Sequence, residues 1–412
     1  MKRLIATTLI LTLLPMLSGC ASLYTNYREM EQLLVLQTMG LDSNAQGLTL
    51  SLASAAEAGS GGSPTRLQVG GATIASALEA ARNYSFEESL FFAHIASVLI
   101  GEGAARGGIE DCINYICQSP RLRMDMPVYI VRGDTAGEAV MSTGDDMTGI
   151  AEIMAGVREY CEKQSPDTLF SVIDIERDTL RYGAALARTL ELADSIQDSS
   201  QKSSTGSGDG STTGGDGNQR SGGGQSGGQS DGAGNKTVTA AGYAVLKDGR
   251  LCAYLDHDEA LGVSFLLSSV GRNDVLVKDL NGADVTLEIN SGGSKIKPVW
   301  DSAGQLRRID VAAEVGALVL EMDGRGSIDK AEYADHLTAQ LEALVSERIS
   351  YVLRMSRQLN ADFLGLAGEA ERSAPEKYAA MDEEFSALFP TLELRVTVKG
   401  QIRHSNDLRE TV

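Results

Sequence analysis

The period of the hydrophobic positions changes repeatedly along the chain, and each change predicts an element. Residues 33–36 lead from a polar start into Met39-Gly40-Leu41-Asp42, a buried strand by its apolar continuity. Leu48, Leu50 and Leu52 alternate with polar partners and Arg66-Leu67-Gln68-Val69 answers them, predicting a hairpin with one solvated face. Ile74, Ala77, Leu78 and Ala81 fall on one helical face, so a helix is expected from Thr73, as its cap, to Tyr84. The near-continuous apolar run over 90–100 predicts an interior strand, followed by a helix over 109–117, a strand over 127–132 and a helix over 147–163. Further on, Gly242–Leu246 and Leu251–Leu255 flank a Lys247-Asp248-Gly249 turn, a hairpin signal. Short strands follow over 274–278, 284–289, 294–299, 306–311 and 318–321. The longest helix is expected over 329–359, with Tyr333, Leu337, Leu341, Leu344, Ile349, Val352 and Leu359 as its apolar stripe. A helix over 376–388 precedes the cleanest amphipathic strand, 392–402: Leu392, Leu394, Val396 and Val398 on one side, Glu393, Arg395, Thr397 and Lys399 on the other.

Two stretches break this pattern. Residues 198–235 hold Gly, Ser, Gln, Asp and Thr with no large apolar side chain, too little to offset the entropy of ordering, and form a tether with a reach of about 35 Å. Residues 1–20 read MKRLIATTLILTLLPMLSGC: Lys2 and Arg3, an apolar run too short to span a bilayer comfortably, then Leu17-Ser18-Gly19-Cys20. That is a lipobox, so the expected mature chain starts at Cys20 carrying acyl chains on an N-palmitoyl, S-diacylglycerol cysteine, outside a membrane. The expected fold class is α+β, with three mixed domains of largely antiparallel sheets flanked by helices. Their boundaries are a signal peptide 1–19, an N-terminal domain 20–165, a middle domain 166–305 interrupted by the linker 198–236, and a C-terminal domain 306–412.

The chain has 412 residues and a formal charge of −20, which repels nucleic acid and offers no polybasic stretch to anionic lipid. Lipid on Cys20 is therefore the expected membrane contact. The remaining cysteines, Cys112, Cys117, Cys161 and Cys252, have neither CxxC nor metal-knuckle spacing; buried free thiols are favoured over a disulfide. Residues 321–332, EMDGRGSIDKAE, imitate a calcium loop, with Gly326 and Glu332 at the sixth and twelfth places. Glu321 in place of the first Asp, Arg325 at a ligand position and a preceding strand argue instead for a strand-to-helix turn capped by Asp329. His94, read as lying in an apolar strand, has no acid, Cys or second His beside it, and His336 and His404 stand alone. His257, between Asp256 and Asp258-Glu259, reads as an acidic hairpin exit. No GxSxG elbow occurs, and Glu87-Glu88, Asp145-Asp146 and Glu383-Glu384 are adjacent acids that do not face one substrate. Neither a catalytic set, a metal site nor a cofactor is expected.

The succession of elements resembles a known family. The residues that carry it are the lipobox with Cys20, Met39-Gly40-Leu41-Asp42, Gly71-Ala72-Thr73, the block from Leu90 to Glu102, and Ala105-Arg106-Gly107-Gly108-Ile109. Gly242-Tyr243-Ala244-Val245 with Asp258-Glu259, and Gln358, Asp362 and Leu364-Gly365-Leu366 before the last strand, complete it. In order and spacing these resemble the Ger(x)C (GerAC/GerBC-like) spore germination lipoproteins, the C subunits of nutrient germinant receptors. The resemblance implies three mixed α/β domains, assembly with integral-membrane A and B subunits in the inner membrane of a spore, and no catalytic activity. Departures are Ala21-Ser22 after the cysteine, where members often carry Trp and an acidic residue, and the long tether. The competing expectation, a solute-binding surface lipoprotein of a transporter, calls for two doubly wound lobes around an aromatic-lined cleft, whereas aromatic residues are 5% and Trp300 is the single tryptophan.

Overall fold

The structure is a computed structural model that describes residues 33–44, 47–55, 64–84, 89–142, 148–166, 168–194, 236–267, 270–322 and 330–403. Cys20, the stretch 198–235, most of the calcium-like loop, His404 and the pairs Glu87-Glu88 and Asp145-Asp146 lie outside these residues.

The strands β1 (Leu33–Asn44), β2 (Gly47–Ser54), β3 (Arg66–Gly71), β4 (Ser89–Phe91), β5 (Ser97–Gly101), β6 (Val128–Val131), β7 (Ala184–Asp194), β8 (Lys236–Lys247) and β9 (Arg250–Leu255) form one sheet. Its order is β3-β2-β1-β5-β6-β7-β8-β9, with β4 also on β1. β1, β5, β6 and β7 run parallel, and antiparallel pairs flank them on both sides. Helices α1 (Ile74–Tyr84), α2 (Glu102–Gly107), α3 (Glu110–Gln118), α4 (Ala136–Met141), α5 (Ile150–Gln164) and α6 (Val172–Tyr182) connect its strands. After α7 (His257–Leu267) come β10 (Asn273–Lys278), β11 (Asp284–Trp300), β12 (Leu306–Met322) and β13 (Glu393–Arg403), a second sheet in that order. β10–β12 are antiparallel, and β13 returns parallel to β12 after α8 (Ala331–Leu359), α9 (Leu366–Ser373), α10 (Pro375–Ala379) and α11 (Asp382–Leu388).

The mixed α/β class expected from the sequence is thus the one observed, with two sheets where three domains were expected. β7–β9 join the first sheet and β10–β11 the second. Residue Asp194 pairs with Lys236, so the tether expected from composition falls between two hydrogen-bonded neighbours of one sheet. Nor do the described residues form two doubly wound lobes, because the second sheet is antiparallel until its last strand.

Several expectations need correction. The apolar run over 90–100 is two strands, not one. Both pair with β1, at Leu33–Val35 and at Thr38–Leu41, and the step between those registers is taken by a turn in which the Ile95 N–H donates to the Phe92 carbonyl at 3.1 Å. Phe92 and Ile95 are buried in that turn, which is why their hydrophobicity mimicked a continuous strand. β2 has no solvated face beyond Leu50, because α1 and α4 both pack on it. The acidic exit at Asp258-Glu259 is the first turn of α7, a helix buried on nearly every side, which has no polar stripe to announce it. The paired short strands over 284–299 and 306–321 are two 17-residue strands bent through irregular register. The helix over 376–388 is two short ones.

The long helix behaves as expected: Tyr333, Leu337, Leu341, Ile349 and Val352 are buried under the second sheet, joined by Val345, while Leu344 and Leu359 are only half-buried. Each such fully buried aliphatic side chain contributes about 2 kcal/mol of transfer free energy. The hairpin turn carries Asp248 and Gly249 at φ 47° and 66°, the two positive angles of a type I′ turn.

A carboxylate closes on a helix N-terminus in each half of the chain. Asp42, at the end of β1, accepts the Ala136 and Gly137 N–H groups of α4, both at 2.8 Å. Gly101 lies so close that a Cβ there would sit 2.0 Å from Asp42 Oδ1. Asp362 accepts the Leu366 and Ala367 N–H groups of α9, again both at 2.8 Å. Burial pushes the Asp362 carboxyl up to about 6, against the two hydrogen bonds and with help from the charge of Asp178.

Three outcomes follow from this arrangement. Asp42→Ala orphans two N–H groups and is expected to cost about 2 kcal/mol in urea unfolding; an unchanged midpoint contradicts the clamp. For Asp362 the folded value lies above the ordinary 3.8, so stability from this group is greatest below pH 4 and is lost as pH rises through 6, about 3 kcal/mol in all. The stability difference between wild type and Asp362→Asn should therefore shrink by about 2 kcal/mol between pH 4 and 6, and a constant difference refutes it. Finally, Cys112, Cys117, Cys161 and Cys252 are all free, with Cys252 exposed and Cys117 half-buried, unlike the buried set expected. A thiol titration of the unreduced, denatured chain should count four beside Cys20.

Candidate functional site

The carboxyl ends of the parallel strands are where loops of α/β sheets present functional groups, and here they gather a cluster of charged side chains. Glu102 follows β5 directly and opens α2, where it accepts the Gly133 N–H at 2.7 Å and the Arg106 Nε at 2.8 Å. Arg132 follows β6, reaches Asp256 at 2.5 Å and Glu191 of β7 at 3.3 Å, and lies over the Tyr254 ring at 4.7 Å. Helix α2 packs on both β1 and β9, which brings residues 102–106 beside 254–256.

The electrostatics are those of a closed ladder of opposite charges. Burial alone would raise the Glu102 carboxyl, but the Gly133 N–H and Arg106 outweigh it and hold it below its usual range. Tyr254 is pushed up, first by burial and then by the Glu102 charge. The Arg106 guanidinium is held still more firmly protonated by its bond to Glu102. At neutral pH Glu102 is thus held ionised and Tyr254 neutral.

The thiols are unreactive. Burial raises all four, Cys112 to about 12, whereas nucleophilic cysteines are depressed. Among the described residues no group of three or more His, Cys, Asp or Glu side chains could hold a metal ion.

The other candidates scatter. His94 is exposed in the turn before β5, 5.4 Å from the Phe91 ring, not in a strand. His257 begins α7 and lines a cleft of about 280 Å³ with Asp258, Asp274 and Arg348, of which Asp258 and Arg348 pair at 2.9 Å. His336 Nε2 lies 3.2 Å from the Lys278 carbonyl. Trp300 donates to Ser373 at 2.9 Å and tethers β11 to α9, a structural role. Gln358 is exposed near the end of α8. Arg106 is part of the ladder; Arg132, Glu191, Tyr254 and Asp256 were not foreseen, since no local motif joins positions so far apart in sequence.

The residues that carry the resemblance divide in the same way. Asp42, Gly101 and Asp362 hold helices in place, and Gly242 turns β8 at φ 100°, where a Cβ would meet the Leu255 carbonyl at 2.1 Å. Glu102 and Arg106 are the ones that also reach the surface constellation.

No helix among the described residues is long and apolar enough to cross a membrane. Residues 26–173 match the family model of the spore germination protein N-terminal domain, and residues 241–406 match that of spore germination B3/GerAC like, C-terminal. No curated protein matches the chain. The crystal structure of the GerBC protein superposes with a TM-score of 0.50 at 13% identity, covering 88% of this chain and 96% of that one, a likeness of fold. With both halves matched in order and that fold shared, the chain belongs to the GerAC/GerBC-like spore germination family.

Proposed function

We propose that this protein is the C subunit of a nutrient germinant receptor: a non-enzymatic lipoprotein, held at the spore inner membrane by acyl chains on Cys20, that acts by assembling with integral-membrane A and B subunits. The observation that carries it is the pair of family matches in sequence order, one in each half of the chain. Two further features support it. The first-sheet constellation is saturated with ion pairs, as suits a surface that meets another protein and not one that makes bonds. The lipobox supplies an attachment that needs no spanning helix.

Replacing Cys20 tests the anchoring. Cys20→Ala is expected to move the protein from the membrane to the soluble fraction and to abolish nutrient-triggered release of dipicolinate. Normal release by a soluble protein overturns the role of the anchor, and membrane retention of the variant overturns the lipidation.

A further inference from the structure

Helix α6 lies across one end of the first sheet. β1, β5, β6 and β7 are parallel, so their amino ends share that end: Leu33 begins β1 well ahead of Thr38, which pairs with Ser97 of β5, and Ala184 begins β7 ahead of Arg188, which pairs with Tyr129 of β6. The N-cap Ser171 bridges to Pro127 just before β6. The Val172 and Ile173 N–H groups donate to the Met126 and Met124 carbonyls, both at 3.0 Å, and Gly183 closes the helix directly before β7. Both ends of α6 are thereby tied to the amino ends of neighbouring strands.

Val172 and Ile175 of α6 are buried. The face turned away from them carries Ile173, Arg177 and Leu180, one exposed stripe by the helical period, and exposed Met124 lies beside Ile173. Leu180 is 78% exposed, and Tyr84, which ends α1 shortly before Ser89, the partner of Leu33, is 72% exposed. Large apolar side chains at this end therefore stand in solvent. The charges among them are largely paired, Arg123 with Asp125, Arg177 with Asp174 and Asp178, and Arg181 with Glu371. This face thus comes close to neutral on a chain whose formal charge is −20.

We propose that this face rests on a lipid bilayer, with Met124, Ile173 and Leu180 immersed at the boundary between headgroups and acyl chains and the Arg177 guanidinium kept at headgroup level. Three observations select that occupant. The described chain begins at Leu33, and residues 21–32 separate it from Cys20 by at most about 45 Å of extended backbone, so the acyl anchor proposed above starts from this end of the sheet. The exposed apolar side chains bracket an arginine on the outer surface of a helix, the pattern of a helix lying in an interface while its Arg snorkels to the headgroups. The near-neutral charge removes the repulsion that the rest of an acidic chain meets at an anionic bilayer. Three apolar side chains bind weakly by themselves; a tethered acyl anchor raises their effective concentration at the bilayer and makes the contact persistent. The proposal rests on the lipidation of Cys20.

Photo-cross-linking of the full, lipidated chain tests it. A benzophenone amino acid replaces Ile173, Leu180 or, as a control, Leu320, an exposed leucine of the second sheet. Each chain is irradiated in its own membranes and, purified, in phosphatidylcholine vesicles, and adducts are identified by mass spectrometry. The expected result is lipid adducts from positions 173 and 180 in large excess over position 320. With the reporter at 173, Leu180→Glu should lower the lipid-adduct yield about tenfold and Leu180→Phe should preserve it. Circular dichroism of each variant separates loss of contact from loss of folding. Equal lipid adducts at all three positions, adducts to protein alone, or a yield that ignores Leu180→Glu overturns the contact and leaves the anchor standing. A parent chain that does not stay with the membrane overturns the anchoring and this proposal with it.

Discussion

The structure depends most on a carboxylate brought by one element to the exposed N–H groups of another. The first turn of a helix has donors that no residue of the helix can satisfy, and its partial positive charge favours an anion there. In the first half Asp42 supplies that anion from the end of β1 to α4; in the second Asp362, just past the end of α8, supplies it to α9. Each contact fixes the approach of a helix to the element beneath it. The glycine at 101 is needed because β5 must pass the Asp42 carboxylate without a side chain. The two Asp sites differ in their cost, since Asp362 is almost wholly buried and the protein holds its carboxyl near 6, while Asp42 is closer to solvent.

How much of this was legible follows from where the information lies. Helix α1, helix α8 and strand β13 each bury one face against a neighbour, so their period is written in consecutive residues and was read correctly. Helix α7 is buried nearly all round and has no period to read. The two parallel strands hidden in residues 90–100 were merged because the turn between them is itself apolar. Helix α6 was missed, although Ser171 and Asp174 form a capping box and Gly183 ends the helix in the left-handed region, a signal present in the letters. The site was less legible than the fold. Glu102 and Arg106 lie four apart on one helix, but Arg132 and Tyr254 meet them only because α2 bridges β1 and β9.

That distribution bears on function. The residues with which the chain resembles its family are mostly those that hold helices and turns, so a shared sequence pattern here reports a shared body more than a shared reaction. Around Glu102 and Arg132 the surface charges pair with one another, and burial raises the four described thiols. The chain's strongly acidic composition keeps most of the surface solvated, while β13 carries Arg395, Lys399 and Arg403 on its exposed side.

The measurement that bears most directly on the account is nutrient-triggered dipicolinate release from spores lacking this gene, in a strain with no other receptor for the same nutrient. The account predicts that release is lost and that re-expression of the intact chain restores it. Release at the wild-type rate without the protein contradicts its place in a germinant receptor.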